Sequence, residues 1–204
     1  FDPEVAGEPH LVEGLVPVLD AFVNDAFAAA HRSQPSLVGF PQHLPSYAGR
    51  VMETELDVLG DVETTDRPRV YVLGGAKVPD SIDVAWNVLE SGLADQVLTA
   101  GVVGNVFLLA DGVDIGDASA DFIYDEGYWD EIDRAGDLLD AHGDRIRFPQ
   151  DVAVERDGER HEIGLNALPG AEDEAAMDIG SETLRMYRSV LADAETVILN
   201  GPAG

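Results

Sequence analysis

The 204 residues include 40 Asp and Glu against 12 Lys and Arg, a formal charge of −28, yet 45% of them are hydrophobic. Apolar residues that fall in periodic runs exclude a disordered acidic tail, and the lack of a basic patch excludes recognition of nucleic acid through its phosphates. Cysteine is absent, which removes disulfide, thiolate and zinc-thiolate chemistry, and no apolar run approaches the roughly 20 residues of a membrane span.

Residues 11–30 place Leu11, Leu15, Val18 and Phe22 at helical spacing, with Pro17 as a kink or a helix start. Asn24, Asp25, His31 and Arg32 follow one another closely, and Arg32 can either fork two hydrogen bonds to a carboxylate or phosphate or serve in a structural salt bridge. Residues 33–45, SQPSLVGFPQHLP, are too rich in Pro, Gly and Ser for a regular element. A second helix is expected over 46–59, and TTDRP (64–68) reads as a linker.

Beyond the linker, short β-branched runs alternate with amphipathic segments. RVYVL (69–73), QVLTA (96–100), RIRFP (145–149), VAVER (152–156) and TVILN (196–200) read as strands, and 81–92, 105–112, 121–143 and 181–192 as helices. This alternation predicts a parallel sheet covered by helices. In open sheets of that kind the ligand crevice lies off the carboxyl ends of the strands, which selects GGAK (74–77), GVVGN (101–105), PQD (149–151) and NGPAG (200–204).

Lys77 is the only lysine in the chain. A glycine pair followed by a lysine at a strand end offers backbone donors and one mobile ammonium, a combination suited to a phosphate chain. Neither GxxxxGK[ST] nor GxGxxG is present, which sets aside the usual phosphate loop and disfavours a dehydrogenase-like dinucleotide domain. In DIGSET (178–183), Gly180 leaves room for a bound group and Ser181 reads as a helix cap; the helix start either presents its first N–H groups to an anion or is an ordinary capped end. His10, His43, His142 and His161 show no metal-ligand spacing, and the acid clusters DEGYWDEID and EDE read as solvated faces. A surface so acidic, with one lysine, points to a host with molar internal salt, where separated charges are screened within roughly 3 Å at 1 M.

Four segments in order, VNDAFAAAHRS, LGGAKVPDSI, DIGSET and ILNGPAG, resemble the signature blocks of phosphoglycerate kinase. The resemblance implies an α/β protein with two Rossmann-like three-layer α/β/α domains and parallel sheets, of which the end of the first and most of the second are present. Residues 1–60 would close the N-terminal, phosphoglycerate-binding domain and supply the interdomain helix; residues 61–204 would form an incomplete C-terminal nucleotide-binding domain. The implied reaction is reversible phosphoryl transfer between 1,3-bisphosphoglycerate and ADP, giving 3-phosphoglycerate and ATP, with Mg2+. A cytoplasmic monomer without nucleic-acid or membrane partners is expected.

Within the resemblance, Arg32 is similar to the arginine that binds the phosphate of phosphoglycerate, and Gly75, Ala76 and Lys77 to the nucleotide-phosphate loop, with Lys77 and Arg32 in the catalytic roles. Gly101 resembles a glycine beside the adenine pocket, Gly180 one in the same cleft, and Asn200, Gly201 and Ala203 the segment beneath the nucleotide. Ser81 stands where many members carry a second lysine, and AGVVGNVF where GGGMANTF is usual. The chain starts at Phe1 and stops just after an apolar run, so it reads as a piece of a longer protein that should not turn over substrate alone. The competing expectation is a non-catalytic nucleotide- or phosphate-binding α/β module.

Overall fold

The strands that frame the site are those the sequence makes apolar on both faces. In the computed structural model, which describes residues 9–170 and 174–202, β3 (Arg69–Leu73) is buried at all five positions, as a strand covered by helices on either side must be. It lies at the centre of a four-stranded sheet in the order β5-β4-β3-β9, with β4 at Gln96–Thr99, β5 at Ile146–Arg147 and β9 at Thr196–Asn200. All three pairings are parallel, so the four carboxyl ends share one edge.

Helix α3 (Val78–Glu90) buries Val78, Ile82, Ala85 and Leu89, a spacing that brings one face to the core. Helix α4 (Gly101–Ala110) is apolar almost throughout, and Val103, Val106, Phe107 and Leu108 are fully buried. Helix α7 (Ser181–Ala192) covers the opposite face of the sheet, where Tyr187 meets Val70, Val72 and Leu98. The expected parallel α/β/α arrangement is therefore present.

Three expectations require correction. The stretch 121–143 is not one helix: α5 (Asp117–Asp125) and α6 (Trp129–His142) are separated by a turn at Gly127, whose φ of +75° ends the helical path. VAVER is a strand but not of the parallel sheet. β6 (Asp151–Arg156) lies at the centre of a separate antiparallel sheet between β7 (Glu159–Gly164) and β8 (Asp178–Ile179). The cause is the two-residue link Asp157-Gly158, with φ of 54° and 78°, which folds β7 back on β6 as a hairpin. RIRFP contributes only Ile146 and Arg147 to the sheet.

The chain divides between Thr64 and Thr65 into two compact units, and the first unit departs further from helical spacing. Helix α1 (Pro9–Leu15) ends in a 3-10 turn at Val16–Val18 that contains Pro17, and Phe22–Asn24 forms β1 instead of continuing a helix. β1 pairs in parallel with β2 (Ser46–Ala48), so the second helix, α2 (Arg50–Gly60), starts later than expected. A π-helical turn at Pro35–Gly39 and a 3-10 turn at Phe40–Gln42 occupy the stretch expected to be irregular.

Candidate functional site

At the carboxyl edge of the parallel sheet, register brings two distant glycine turns together. Leu73 pairs with Asn200, and the Gly74 N–H donates to the Asn200 carbonyl at 2.8 Å, so the loops leaving β3 and β9 run side by side. Gly75 has φ +83°, and a Cβ there would stand 3.0 Å from the Pro202 ring. Gly201 has φ +79°, and a Cβ there would lie 2.3 Å from the Gly74 carbonyl oxygen. Only glycine fits that backbone-to-backbone approach.

These loops enclose a cavity of about 380 Å³ lined by Gly74–Lys77, Asp80, Ser81 and Asn200–Pro202. Lys77 occupies the residue before α3 and is exposed; its carbonyl accepts from the Ser81 N–H at 3.2 Å, and its ammonium makes no hydrogen bond or ion pair among the described residues. By contrast, Arg67, Arg134, Arg156 and Arg160 are all committed to carboxylates. The start of α3 adds the positive end of a helix dipole to the free ammonium, and Pro79 needs no N–H partner there. The cavity therefore offers an anion a mobile charge, backbone donors and little side-chain obstruction. Asp80 and Pro202, which the sequence reading did not single out, belong to its wall.

One strand over, Gly101 begins α4 with φ +57°, and the Ala100 N–H donates to the Leu73 carbonyl at 2.9 Å, which ties this turn to the root of the GGAK loop. Gly101, Gly75, Ala76, Lys77, Asn200 and Gly201 thus share one sheet edge. Ala203 lies outside the described residues.

Of the two readings of the start of α7, the capped end is the one formed, with Asp151 in place of Ser181 as the capping side chain. The buried Asp151 carboxylate accepts from the N–H groups of Glu182 at 2.8 Å and Thr183 at 2.7 Å, and from the Thr183 hydroxyl. Burial pushes the Asp151 pKa up, but the Thr183 hydroxyl and the two N–H groups outweigh it and hold the carboxyl below its ordinary value. Gly180 is the cap residue, and a Cβ there would fall 2.2 Å from the Asp151 carboxylate. Ser181 is the first helical residue and donates to Glu162 at 2.8 Å. Gly180 is therefore required by Asp151.

In the first unit Asp25 repeats the device. Its Oδ1 accepts from Val51 N–H at 2.7 Å and Met52 N–H at 3.0 Å, and Gly49 leaves the space for it at the start of α2. With Asp25 spent on the helix, Arg32 stays exposed, and its guanidinium forms no ion pair among the described residues. Of its two expected uses, the structural salt bridge is not made among the described residues. In the EDE cluster, Glu174 is buried and pairs with Arg156, while residues 172 and 173 lie outside the described set.

An open parallel sheet with helices on both faces and glycine turns around a free cation at its carboxyl edge defines an α/β ligand-binding architecture. A phosphoglycerate kinase family profile matches residues 1–204. The chain is 65% identical over 204 residues to a phosphoglycerate kinase of Halobacterium salinarum, covering 100% of this chain and 51% of that protein. It is 62% identical over 205 residues to one of Natronomonas pharaonis, at the same coverage of both chains. The crystal structure of phosphoglycerate kinase from Pyrococcus horikoshii OT3 superposes with a TM-score of 0.89 at 44% identity, over 100% of this chain and 51% of that one. The chain belongs to the phosphoglycerate kinase family and spans about half the length of these relatives.

Proposed function

We propose that these residues serve a kinase that moves a phosphoryl group reversibly between 1,3-bisphosphoglycerate and ADP. Residues 61–204 form the nucleotide-binding portion, and residues 1–60 close the phosphoglycerate-binding portion and supply the helix between them. The observation that carries the reading is Lys77: the only lysine of the chain, its ammonium unpaired among the described residues, at a 380 Å³ cavity between the two glycine turns.

Phosphoryl transfer asks little covalent chemistry of a protein and much positioning and charge neutralisation. Lys77 holds the equatorial oxygens of the migrating group, where a compact ammonium on a thin stem fits a space that a planar guanidinium would crowd. Gly75 and Ala76 bring backbone to the phosphates. Asn200 and Gly201 form the floor beneath the nucleotide, Gly101 borders the base, and Gly180 shapes the same cleft through Asp151. Arg32 grips the phosphate of phosphoglycerate by a forked pair of hydrogen bonds. An acyl phosphate and a nucleotide terminal oxygen react without proton abstraction, so no general base is assigned.

Mg2+ accompanies the nucleotide in this reading. Among the described residues no group of three or more His, Asp or Glu side chains is placed to hold a metal ion, so none is assigned to it. The protein is a cytoplasmic monomer that meets ATP or ADP and phosphoglycerates, and neither nucleic acid nor membrane.

The test is phosphoglycerate-dependent ADP formation by the full-length protein in multimolar KCl with magnesium. Lys77→Ala is expected to lower kcat roughly 100- to 1000-fold, the loss typical of one preorganised transition-state donor, while circular dichroism and melting stay unchanged. The 204-residue chain alone is expected to be inactive. A wild-type protein that binds nucleotide but transfers nothing would establish a binding module instead.

A further inference from the structure

Tyr187 lies on the inner face of α7, buried at 4% exposure. Its hydroxyl donates to the Thr99 carbonyl and stands 3.2 Å from the Arg147 carbonyl. These carbonyls belong to neighbouring strands, β4 and β5, at the point where both leave the sheet.

The ladder shows why a side chain is needed there. β4 and β5 share only two rungs, Val97 with Ile146 and Leu98 with Arg147, and the Val97 N–H donates to the Arg145 carbonyl at 2.8 Å. In a parallel ladder a residue's N–H reaches the neighbour one before its partner, and its carbonyl receives from the neighbour one after. The next rung would set Thr99 opposite Phe148, and its carbonyl opposite the nitrogen of Pro149. Proline has no N–H to give. The Thr99 carbonyl would be a buried acceptor without a donor, and the Tyr187 hydroxyl fills that place.

We propose that Tyr187 is a positioning residue for the nucleotide side of the cleft, its hydroxyl replacing the donor that Pro149 lacks and fixing where β4 turns into the Gly101 loop. This inference rests on the reading of that edge as the nucleotide site. Ala100 and Gly101 follow Thr99 directly, and the Ala100 N–H holds the Leu73 carbonyl, so a shift of the Thr99 carbonyl passes to both glycine turns. Gly104 closes the same junction: a Cβ there would lie 3.0 Å from Pro149 and 3.4 Å from the Thr99 oxygen.

Tyr187→Phe in the full-length kinase, assayed in multimolar KCl, removes the hydroxyl and keeps the ring. The KM for nucleotide is expected to rise roughly 3- to 10-fold, the size of one net hydrogen bond, with the KM for phosphoglycerate within about 2-fold of wild type. Adding Pro149→Ala restores a backbone donor to the same carbonyl. The double variant is therefore expected to return to the nucleotide KM of Pro149→Ala alone. A Tyr187→Phe protein that melts earlier but keeps its nucleotide KM overturns the proposal, as does a raised KM that Pro149→Ala does not relieve. A wild-type protein without kinase activity overturns the functional reading, and with it any role of Tyr187 in that reaction.

Discussion

At the level of single residues, carboxylates set stability where they are taken out of water and given donors. Asp151 satisfies two helix N–H groups and the buried Thr183 hydroxyl. Asp151→Ala strands the two N–H groups, while the hydroxyl keeps the main-chain carbonyl of residue 151 at 3.1 Å, and a loss of about 1–2 kcal/mol is expected from the helix cap. The same carboxyl sets a pH dependence. The Asp95 carboxyl is likewise held low, chiefly by its hydrogen bonds from Arg67 and against the effect of burial. Groups depressed in the folded protein contribute fully above the ordinary carboxylate pKa of about 4 and lose that contribution as pH falls below it. Urea unfolding at pH 7 and at pH 3 in constant KCl is expected to show a marked loss in the wild type and a shallower one in Asp151→Ala. Equal slopes in both proteins would remove Asp151 from the acid response.

Among the elements, the parallel sheet and its loops were legible and the long-range pairings were not. β3, β9 and α7 fall within a residue of where periodicity puts them: β3, buried at every position, must read as an unbroken run, and β9 reads as one through its β-branched and apolar residues although Val197 and Leu199 are exposed. The glycine turns at their ends were legible for the same reason, since GGAK and NGP interrupt those runs abruptly. β1 was hidden: its partner lies 24 residues on, and nothing local in Phe22–Asn24 marks it as a strand. The β6–β7 hairpin was marked, by Asp157-Gly158 between two alternating runs, and the helix-strand rhythm obscured it. Asp151 was invisible as a cap, because the helix it serves begins 30 residues later. The contact between the β3 and β9 loops supports a further prediction. Gly201→Ala places a methyl against the Gly74 carbonyl at a φ of +79°, which strains the backbone by roughly 1–3 kcal/mol and pushes the two turns apart. A lower melting temperature together with weakened nucleotide binding is expected. Full retention of binding would mean that the turns can separate without cost.

On the scale of the whole molecule, charge dominates. Most of the 40 carboxylates have no cation to pair with, since only 12 Lys and Arg exist and several of those bond backbone carbonyls. The resulting self-repulsion is long-ranged at 0.1 M salt, where the Debye length is about 10 Å, and largely screened at 1 M. Relief of a few kcal/mol translates, for a chain of this size, into a rise in Tm on the order of 10 °C between 0.1 and 2 M KCl. Calorimetry or circular dichroism checks this directly, and a Tm insensitive to KCl would show that the acidic surface is tolerated without screening.

Two helices in this chain begin at a glycine seated under an aspartate supplied from far away: α2 under Asp25, whose bonds span 26 and 27 positions, and α7 under Asp151, whose bonds span 31 and 32. A helix that carries its own cap can nucleate from local sequence alone. These two cannot, because the residue that ends their fraying arrives only when a remote loop has closed. Each first turn is thus conditional on tertiary structure. Helix α7, whose start stands against the start of β6, becomes a logical conjunction: it is whole only when the segment around Asp151 is already in place.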